Sequence, residues 1–218
     1  MKRIISILCA SSFLVVACNS KKEDDKKTSD TKETTNEAKV EDKAAWIPID
    51  SVMMDKAWKE NMTVSDQHKM LAKLDGTWSG ETSMWVGDGS TPMTSATTTV
   101  NKMIYNGLYQ ESTSTGNMMG APFEGKSTMG YDNLKKEFFS TWIDNMGSGM
   151  YMMTGKWDEG SKQLTFTGTS TCMNGQTAPM REVLTITDDN NHTLEMYGPD
   201  PKTGKEYKNM VIKYTRKK

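Results

Sequence analysis

Apolar and polar residues alternate with a period of two through most of the chain. From Trp78 to Val86, every second residue can face the same side of a strand, and the residues between these positions include Ser79, Glu81 and Ser83. Such alternation is typical of a β-strand with one buried face. Similar runs recur at 94–105, 108–114, 122–131, 136–144, 150–158, 163–172, 179–187, 193–198 and 206–216. The pattern predicts an all-β domain of about ten strands over residues 77–218.

Short turns separate these runs. Asn106-Gly107 and Asn174-Gly175 are strong hairpin signals, and Asp158-Glu159-Gly160 marks another turn. About ten antiparallel strands with no long helix between them indicate an up-and-down, lipocalin-like β-barrel. A two-sheet sandwich is the competing architecture.

Residues 46–76 have a different pattern, which predicts one or two short N-terminal helices. Asp50 or Ser51 can cap the first helix, and Ser65 or Asp66 can cap the second. Gly76 stands where a residue just past a helix end is expected.

The first and last strands carry a pair that favours the barrel. Gly76-Thr77-Trp78 opens the first run, as in lipocalin-like barrels, where a basic side chain from the last strand lies across the indole. In the last run, Ile212 and Tyr214 share their parity with Arg216. We therefore expect Arg216 to stack on Trp78 as a structural pair.

The amino terminus reads as a secretion signal followed by a lipid anchor. Met1-Lys2-Arg3 is basic, residues 4–17 are apolar, and Val15-Val16-Ala17 precedes Cys18. The apolar run is shorter than the ~20 residues of a spanning helix. The sequence predicts a signal peptide at 1–17 and lipidation of Cys18, which makes the membrane a partner through this anchor.

Residues 18–45 are predicted to be a disordered, charged tether. Lys, Glu, Asp, Thr and Ser dominate, and aromatic residues are lacking. Lys21-Lys22-Glu23-Asp24-Asp25 resembles the export signals of bacterial surface lipoproteins, but an ordinary tether facing the periplasm fits equally well. The expected location is the cell envelope, as an outer-membrane lipoprotein on either face.

Composition limits the other possibilities. A formal charge of −1 without a basic block argues against nucleic acid as a partner. Cys9 leaves with the signal peptide and Cys18 is acylated, so Cys172 remains as a single free thiol and no intramolecular disulfide can form. Cys172 shares its parity with Phe166 and is expected to face inward as a small apolar residue.

Several segments resemble one known family. They are HKML at 68–71, LDGTW at 74–78, GYD at 130–132, FSTWIDNMG at 139–147 and KEYKNM at 205–210. On these segments the chain resembles domain-of-unknown-function family 1579, an uncharacterised bacterial family with a lipocalin-like fold. The resemblance implies that fold and supports an envelope protein, but it implies no activity. Asp75 departs from the family, which usually has an apolar residue before the Gly-x-Trp.

Parity also predicts the lining of the barrel interior. Soft and aromatic side chains fall on the inward face of their strands, and they define a candidate site for a small apolar ligand. Glu182 falls on the same face, where a carboxylate needs a partner or acquires a raised pKa. It could orient a ligand or pair with Arg216 or Lys126. The predicted ligand-binding residues are Trp78, Met84, Trp142, Met152, Phe166, Glu182, Met196 and Tyr214.

Little in the sequence supports a metal site or a catalytic site. The methionines could bind Cu(I), but their scatter indicates a pliable core instead. His192 is interpreted as a solvated turn residue and His68 as a capping or packing residue, although either could be an axial haem ligand. Five threonines are interpreted as solvent-facing: Thr97, Thr99, Thr165, Thr167 and Thr169. We predict no metal, no cofactor and no catalytic residue.

Three functional hypotheses follow. The first is a lipid-anchored envelope lipoprotein whose barrel binds a small apolar ligand. The alternative is a structural or interaction module of the envelope, with a barrel filled by side chains. An enzyme comes third, because no catalytic pair is apparent. The oligomeric state stays open.

Overall fold

The computed structural model describes residues 45–218. The predicted signal peptide, Cys18 and the tether as far as residue 44 lie outside the described residues. Two short helices precede the first strand: α1 spans Ser51–Asn61 and α2 spans Asp66–Ala72. Within residues 45–218, no helix is both long enough and apolar enough to cross a membrane.

Ten antiparallel strands form a closed barrel. Each strand pairs with its neighbours in chain order, and β1 pairs with β10. Closure gives both edge strands a partner, which removes the exposed edges that an open sheet would present. The predicted up-and-down barrel is confirmed, and the sandwich alternative is excluded. The strands are β1 Gly76–Met84, β2 Met93–Ile104, β3 Tyr109–Met118, β4 Ala121–Asp132, β5 Glu137–Asp144, β6 Tyr151–Asp158, β7 Gln163–Thr171, β8 Thr177–Asp188, β9 Asn191–Pro199 and β10 Glu206–Arg216.

Side chains cap both helices. The Asp50 carboxylate accepts a hydrogen bond from the Met53 N–H at 2.8 Å, which satisfies one of the free amides of the first turn. At α2, the Ser65 N–H donates to His68 Nδ1 at 3.1 Å in a reciprocal capping arrangement. Asp50 and Ser65 are therefore the caps among the predicted alternatives, and the capping role of His68 is confirmed.

Gly76 begins β1 and does not terminate α2, which ends at Ala72. Its φ of +122° is a conformation that favours glycine. A Cβ at this position would lie 2.8 Å from Arg216 Nη1. Glycine is required here for both the backbone conformation and the close approach of Arg216.

One end of the barrel, which we call the closed end, is covered by α2. Leu71 and Leu74 are buried there beside Trp78, and the core continues inward to Phe138 and Phe166. Burial of each such side chain contributes roughly 1.5–3 kcal/mol. The opposite end, where β1 finishes at Met84, is called the mouth.

Candidate ligand-binding cavity

The barrel encloses a cavity of about 540 Å³. All ten strands contribute side chains to its wall, and Leu74 lies at its closed end. The interior is therefore not completely filled by side chains. Six of the eight predicted lining residues do line the cavity: Met84, Trp142, Phe166, Glu182, Met196 and Tyr214.

Met152 does not face this cavity. Its side chain is 61% exposed on the outer face of β6, whereas Met153 is 2% exposed and packs in the core. The prediction that Met152 faces inward is wrong. The predicted alternation is shifted by one residue here, and such a shift places a side chain on the other face of the strand. Lys156 shares the parity of Met152 and is exposed, so it was the signal for the correct phase.

Trp78 lies in the closed end and forms no part of the cavity wall. It is fully buried, and its indole N–H donates to the Leu74 carbonyl oxygen at 2.8 Å. The Arg216 guanidinium carbon lies 4.1 Å from the centroid of the Trp78 ring. The predicted structural pair is confirmed, but Trp78 supports the site from outside it.

Asp75 joins α2 to the barrel. Its carboxylate accepts hydrogen bonds from the Met103 N–H and from Gln110 Nε2, both at 2.9 Å. Gln110 Nε2 also donates to the Leu71 carbonyl oxygen at 2.7 Å. An apolar residue could not accept these bonds. Asp75 therefore holds the segment after α2 against β2 and β3, and its departure from the family pattern has a structural role.

Glu182 lies on the inner face of β8, between Phe166 of β7 and Met196 of β9 in register. Desolvation raises the pKa of its carboxyl to about 7. The side chain remains partly accessible because the cavity reaches it. Its carboxylate makes no hydrogen bond or ion pair within residues 45–218. Neither Arg216 nor Lys126 is its partner, so that predicted alternative is wrong.

His192 lies in β9 and not in a solvated turn. It is 5% exposed, lines the cavity, and packs with its ring centroid 4.6 Å from Tyr214 and 4.2 Å from Trp78. Burial, with a smaller effect of the Arg216 charge, lowers the pKa of His192 to about 4. The prediction failed because the turn is shorter than its polar sequence implies. The shared parity of His192 with Leu194 and Met196 was the available signal.

Threonines of β2 also face inward. Thr97 and Thr99 are buried and line the cavity, whereas Val100 is 47% exposed. The solvent-facing interpretation of these threonines is therefore wrong. Thr99 and Ser114 share a hydrogen bond at 2.8 Å inside the barrel. On this side the cavity wall is polar. Residue hydropathy alone would assign these threonines to the outer surface of the barrel.

The mouth is rich in soft and aromatic groups. Trp142 stacks near Phe123 with ring centroids 6.3 Å apart, and its indole N–H donates to Asp144 Oδ2 at 2.7 Å. The other Asp144 oxygen accepts from the Met146 N–H, which confirms its predicted role in the turn. Eight of the described methionines line the cavity: Met84, Met118, Met129, Met146, Met173, Met180, Met196 and Met210.

Residues 45–218 contain no group of three or more His, Cys, Asp or Glu side chains that could hold a metal ion. His68 is buried beside Tyr131 and does not reach the cavity. Cys172 follows the end of β7 as a free, half-buried thiol outside the cavity wall.

The fold and the site define a ten-stranded up-and-down β-barrel with an internal cavity closed at one end by a helix. The chain belongs to the family described as "Protein of unknown function (DUF1579)", whose model matches residues 63–216. This confirms the resemblance found in the sequence.

Similarity to solved structures supports the fold. The crystal structure of Rv2717c from M. tuberculosis is similar with a TM-score of 0.54 at 10% sequence identity. The similarity covers 72% of this chain and 100% of that chain. At this identity the likeness concerns the fold alone. No curated protein matches the sequence.

Proposed function

We propose that this protein is a lipid-anchored lipoprotein of the cell envelope whose barrel binds one small, largely apolar ligand. The cavity of about 540 Å³ is the observation that carries the proposal. Binding cavities for small molecules range from roughly 300 to 1,000 Å³ and are mostly apolar with a few polar groups. The volume is therefore suited to one molecule of modest size.

The composition of the wall supports the same proposal. Phe123, Trp142 and Phe166 provide flat apolar surfaces, and the lining methionines provide flexible ones. Thioether side chains adapt to ligands of different shape because they are unbranched and polarizable. We infer a ligand whose body is apolar, and a site that tolerates some variation in its shape.

The alternative function is a structural or interaction module. It requires no cavity and is expected of a barrel whose interior is filled by side chains. A small barrel either fills its interior or holds one ligand. The cavity volume favours the second arrangement.

The anchor part of the proposal rests on the sequence at Val15-Val16-Ala17-Cys18. Acylation of Cys18 would hold the protein at the outer membrane. If residues 19–45 form the tether that the sequence predicts, they would give the barrel a mean reach of ~30 Å from the bilayer. Protease treatment of intact cells distinguishes the surface from the periplasmic face. If residues 21–25 form an export signal, their replacement by Ala will protect the barrel from the protease.

Titration of the purified domain with N-phenyl-1-naphthylamine, an apolar fluorescent probe, tests ligand binding directly. We expect saturable binding with a stoichiometry near one per barrel and displacement by small apolar molecules. Mass spectrometry of molecules retained during purification would identify natural candidates. Absence of saturable binding, for the probe and for retained molecules alike, would reject the proposal.

A further inference from the structure

The cavity wall contains polar atoms, and only some of them have hydrogen-bond partners within residues 45–218. Two of the amide side chains that line it have partners in the protein: Asn101 Nδ2 donates to the Leu74 carbonyl oxygen at 3.0 Å, and Gln110 Nε2 donates to the oxygens of Leu71 and Asp75. The indole N–H of Trp142 donates a hydrogen bond to the Asp144 carboxylate. Each of these three side chains therefore has an N–H donor bound within the protein, whereas the Asn209 amide, which also lines the cavity, has no hydrogen bond in residues 45–218.

Several oxygens of the wall have no partner. Asn101 Oδ1 and the hydroxyl oxygens of Thr82 and Thr97 are buried without a hydrogen bond in the described part of the chain. All three side chains line the cavity. A buried polar atom without a partner costs about 1–3 kcal/mol. An amide oxygen only accepts hydrogen bonds, and a hydroxyl can accept as well as donate. Only Asn101 Oδ1 among these atoms is restricted to accepting, so the unpartnered oxygens by themselves do not select a ligand that brings donors.

Glu182 adds a carboxylate to this set. It faces the cavity from the middle of β8, and its register neighbours Phe166 and Met196 are apolar. The titratable group facing it from β10 is Tyr214, whose pKa burial raises to about 12. Tyr214 is therefore uncharged near neutral pH and provides no positive charge. Because the carboxyl of Glu182 has a pKa of about 7, a cation that enters the cavity would favour its ionised form and serve as the partner that residues 45–218 do not provide.

The charges around the cavity have one sign. Glu182 and Asp144 are its acidic lining residues, and no Lys or Arg of residues 45–218 lines it. His192 is neutral near pH 7 because burial lowers its pKa. Arg216 lies outside the wall, where its guanidinium donates to the carbonyl oxygens of Lys73, Asp75 and Asp189. An anionic ligand would enter without a cationic partner.

We propose that the cavity selects amphipathic amines, in which a protonated nitrogen pairs with Glu182 and an apolar body packs against the aromatic and methionine side chains. This rests on the proposed ligand-binding function. An ammonium group supplies several N–H donors and a positive charge, so it matches the unpaired carboxylate of Glu182. A carboxylate ligand has the same sign of charge as ionised Glu182, and no Lys or Arg of residues 45–218 lines the cavity to pair with it.

Three ligands with the same alkyl chain and different head groups test this selectivity. Decylamine, decanol and decanoate carry a positive, a neutral and a negative group at neutral pH. Each is used to displace N-phenyl-1-naphthylamine from the purified protein at moderate ionic strength. We expect decylamine to bind about tenfold more tightly than decanol, because charge-assisted hydrogen bonds are the stronger ones. Decanoate is expected to bind most weakly.

Glu182→Gln removes the charge with little change in shape, and it should remove the preference for decylamine over decanol. Glu81→Gln is the matched control, since Glu81 is exposed on the outer face of β1 and its loss should leave the preference unchanged. The head-group ranking in the unmodified protein needs no variant, so it decides the matter even if Glu182→Gln folds poorly.

The outcomes separate the two proposals. Equal affinity for decylamine and decanol, or tighter binding of decanoate, overturns the amine proposal and leaves apolar ligand binding in place. A preference for decylamine that persists in folded Glu182→Gln also overturns the proposal, and its loss in Glu81→Gln would assign the preference to the surface. Failure of the probe and all three ligands to bind would reject the ligand-binding function itself.

Discussion

Arg216 lies over the indole ring of Trp78, with 4.1 Å between the guanidinium carbon and the ring centroid, and so joins the last residue of β10 to the first strand of the barrel. The two residues are also register partners in the β1–β10 pairing that closes the sheet. The guanidinium donates to the carbonyl oxygens of Lys73 and Asp189, at 2.7 and 2.8 Å. One side chain thus links the α2–β1 connection to the β8–β9 turn.

Substitution of this pair should show coupled losses of stability. Trp78→Ala removes a fully buried aromatic residue and should lower the free energy of unfolding by ~3–5 kcal/mol. Arg216→Ala should lower it by less, and the double variant should lose less than the two single losses together, because the groups touch. Urea unfolding of the four proteins measures the coupling. Simple additivity would show that the stack contributes nothing.

Asp75→Ala should loosen the joint between α2 and the barrel. The variant leaves the Met103 N–H and one N–H of Gln110 Nε2 without an acceptor. We therefore expect the free energy of unfolding to fall by about 1–3 kcal/mol. Asp66→Ala is the control, since the Asp66 side chain is exposed and its ion pair with Lys69 lies on the surface. Equal losses in both variants would contradict the role assigned to Asp75.

A larger side chain at Phe166 should fill the cavity. Phe166→Trp projects additional volume from β7 into the interior, and we expect the affinity for N-phenyl-1-naphthylamine to fall at least about tenfold while the β circular dichroism persists. Met152→Trp is the matched control because that residue lies on the outer face of the neighbouring strand. Unchanged binding in Phe166→Trp would place the probe outside the barrel.

The raised pKa of Glu182 predicts how stability depends on pH. Its carboxyl has a pKa of about 7 in the folded protein, against an ordinary value of 4.5, so the folded state holds the proton more firmly. Its ionisation therefore destabilises the fold as pH rises from about 4.5 to about 7 and adds no further slope above that. Glu182→Gln should gain stability relative to the unmodified protein across this window, by up to about 3 kcal/mol.

His192 has the opposite dependence. Its pKa of about 4 lies below the ordinary 6.5, so its contribution to stability is lost as pH falls through this range. The two groups oppose each other in the unmodified protein, and only the difference between Glu182→Gln and the unmodified protein isolates Glu182. Urea unfolding at several pH values measures it. A constant difference from pH 4.5 to pH 7 would show that Glu182 is not desolvated.

Cys18→Ser should prevent acylation, because serine lacks the thiol that receives the lipid. We expect an uncleaved or soluble precursor in fractionated cells, while the unmodified protein is recovered with the membranes. Cys172→Ser, which changes the other cysteine of the mature chain, is the control and should leave fractionation unchanged. Membrane recovery of processed Cys18→Ser at the level of the unmodified protein would remove the basis for the anchor.

The sequence by itself determined the architecture. Period-two alternation and Asn-Gly turns were sufficient for the ten strands, because a strand with one buried face leaves this pattern in its residues. The Trp78–Arg216 pair was also predictable, since both residues lie on the inward parity of strands that must meet when the barrel closes. Asp50 was recognised as a cap because the capping bond is local in the chain.

The tertiary structure decided which side chains line the cavity and which partners they have. Strand phase failed at Met152, where two adjacent methionines offered opposite phases and the parity of Lys156 was the local signal for the correct one. Pairing with β5 and β7 places Met153 on the buried face. His192 became an interior residue because β9 begins at Asn191 and turns its ring onto Tyr214. Whether Glu182 has a partner depends on side chains from other strands. Such contacts join residues far apart in the chain, and no local pattern records them.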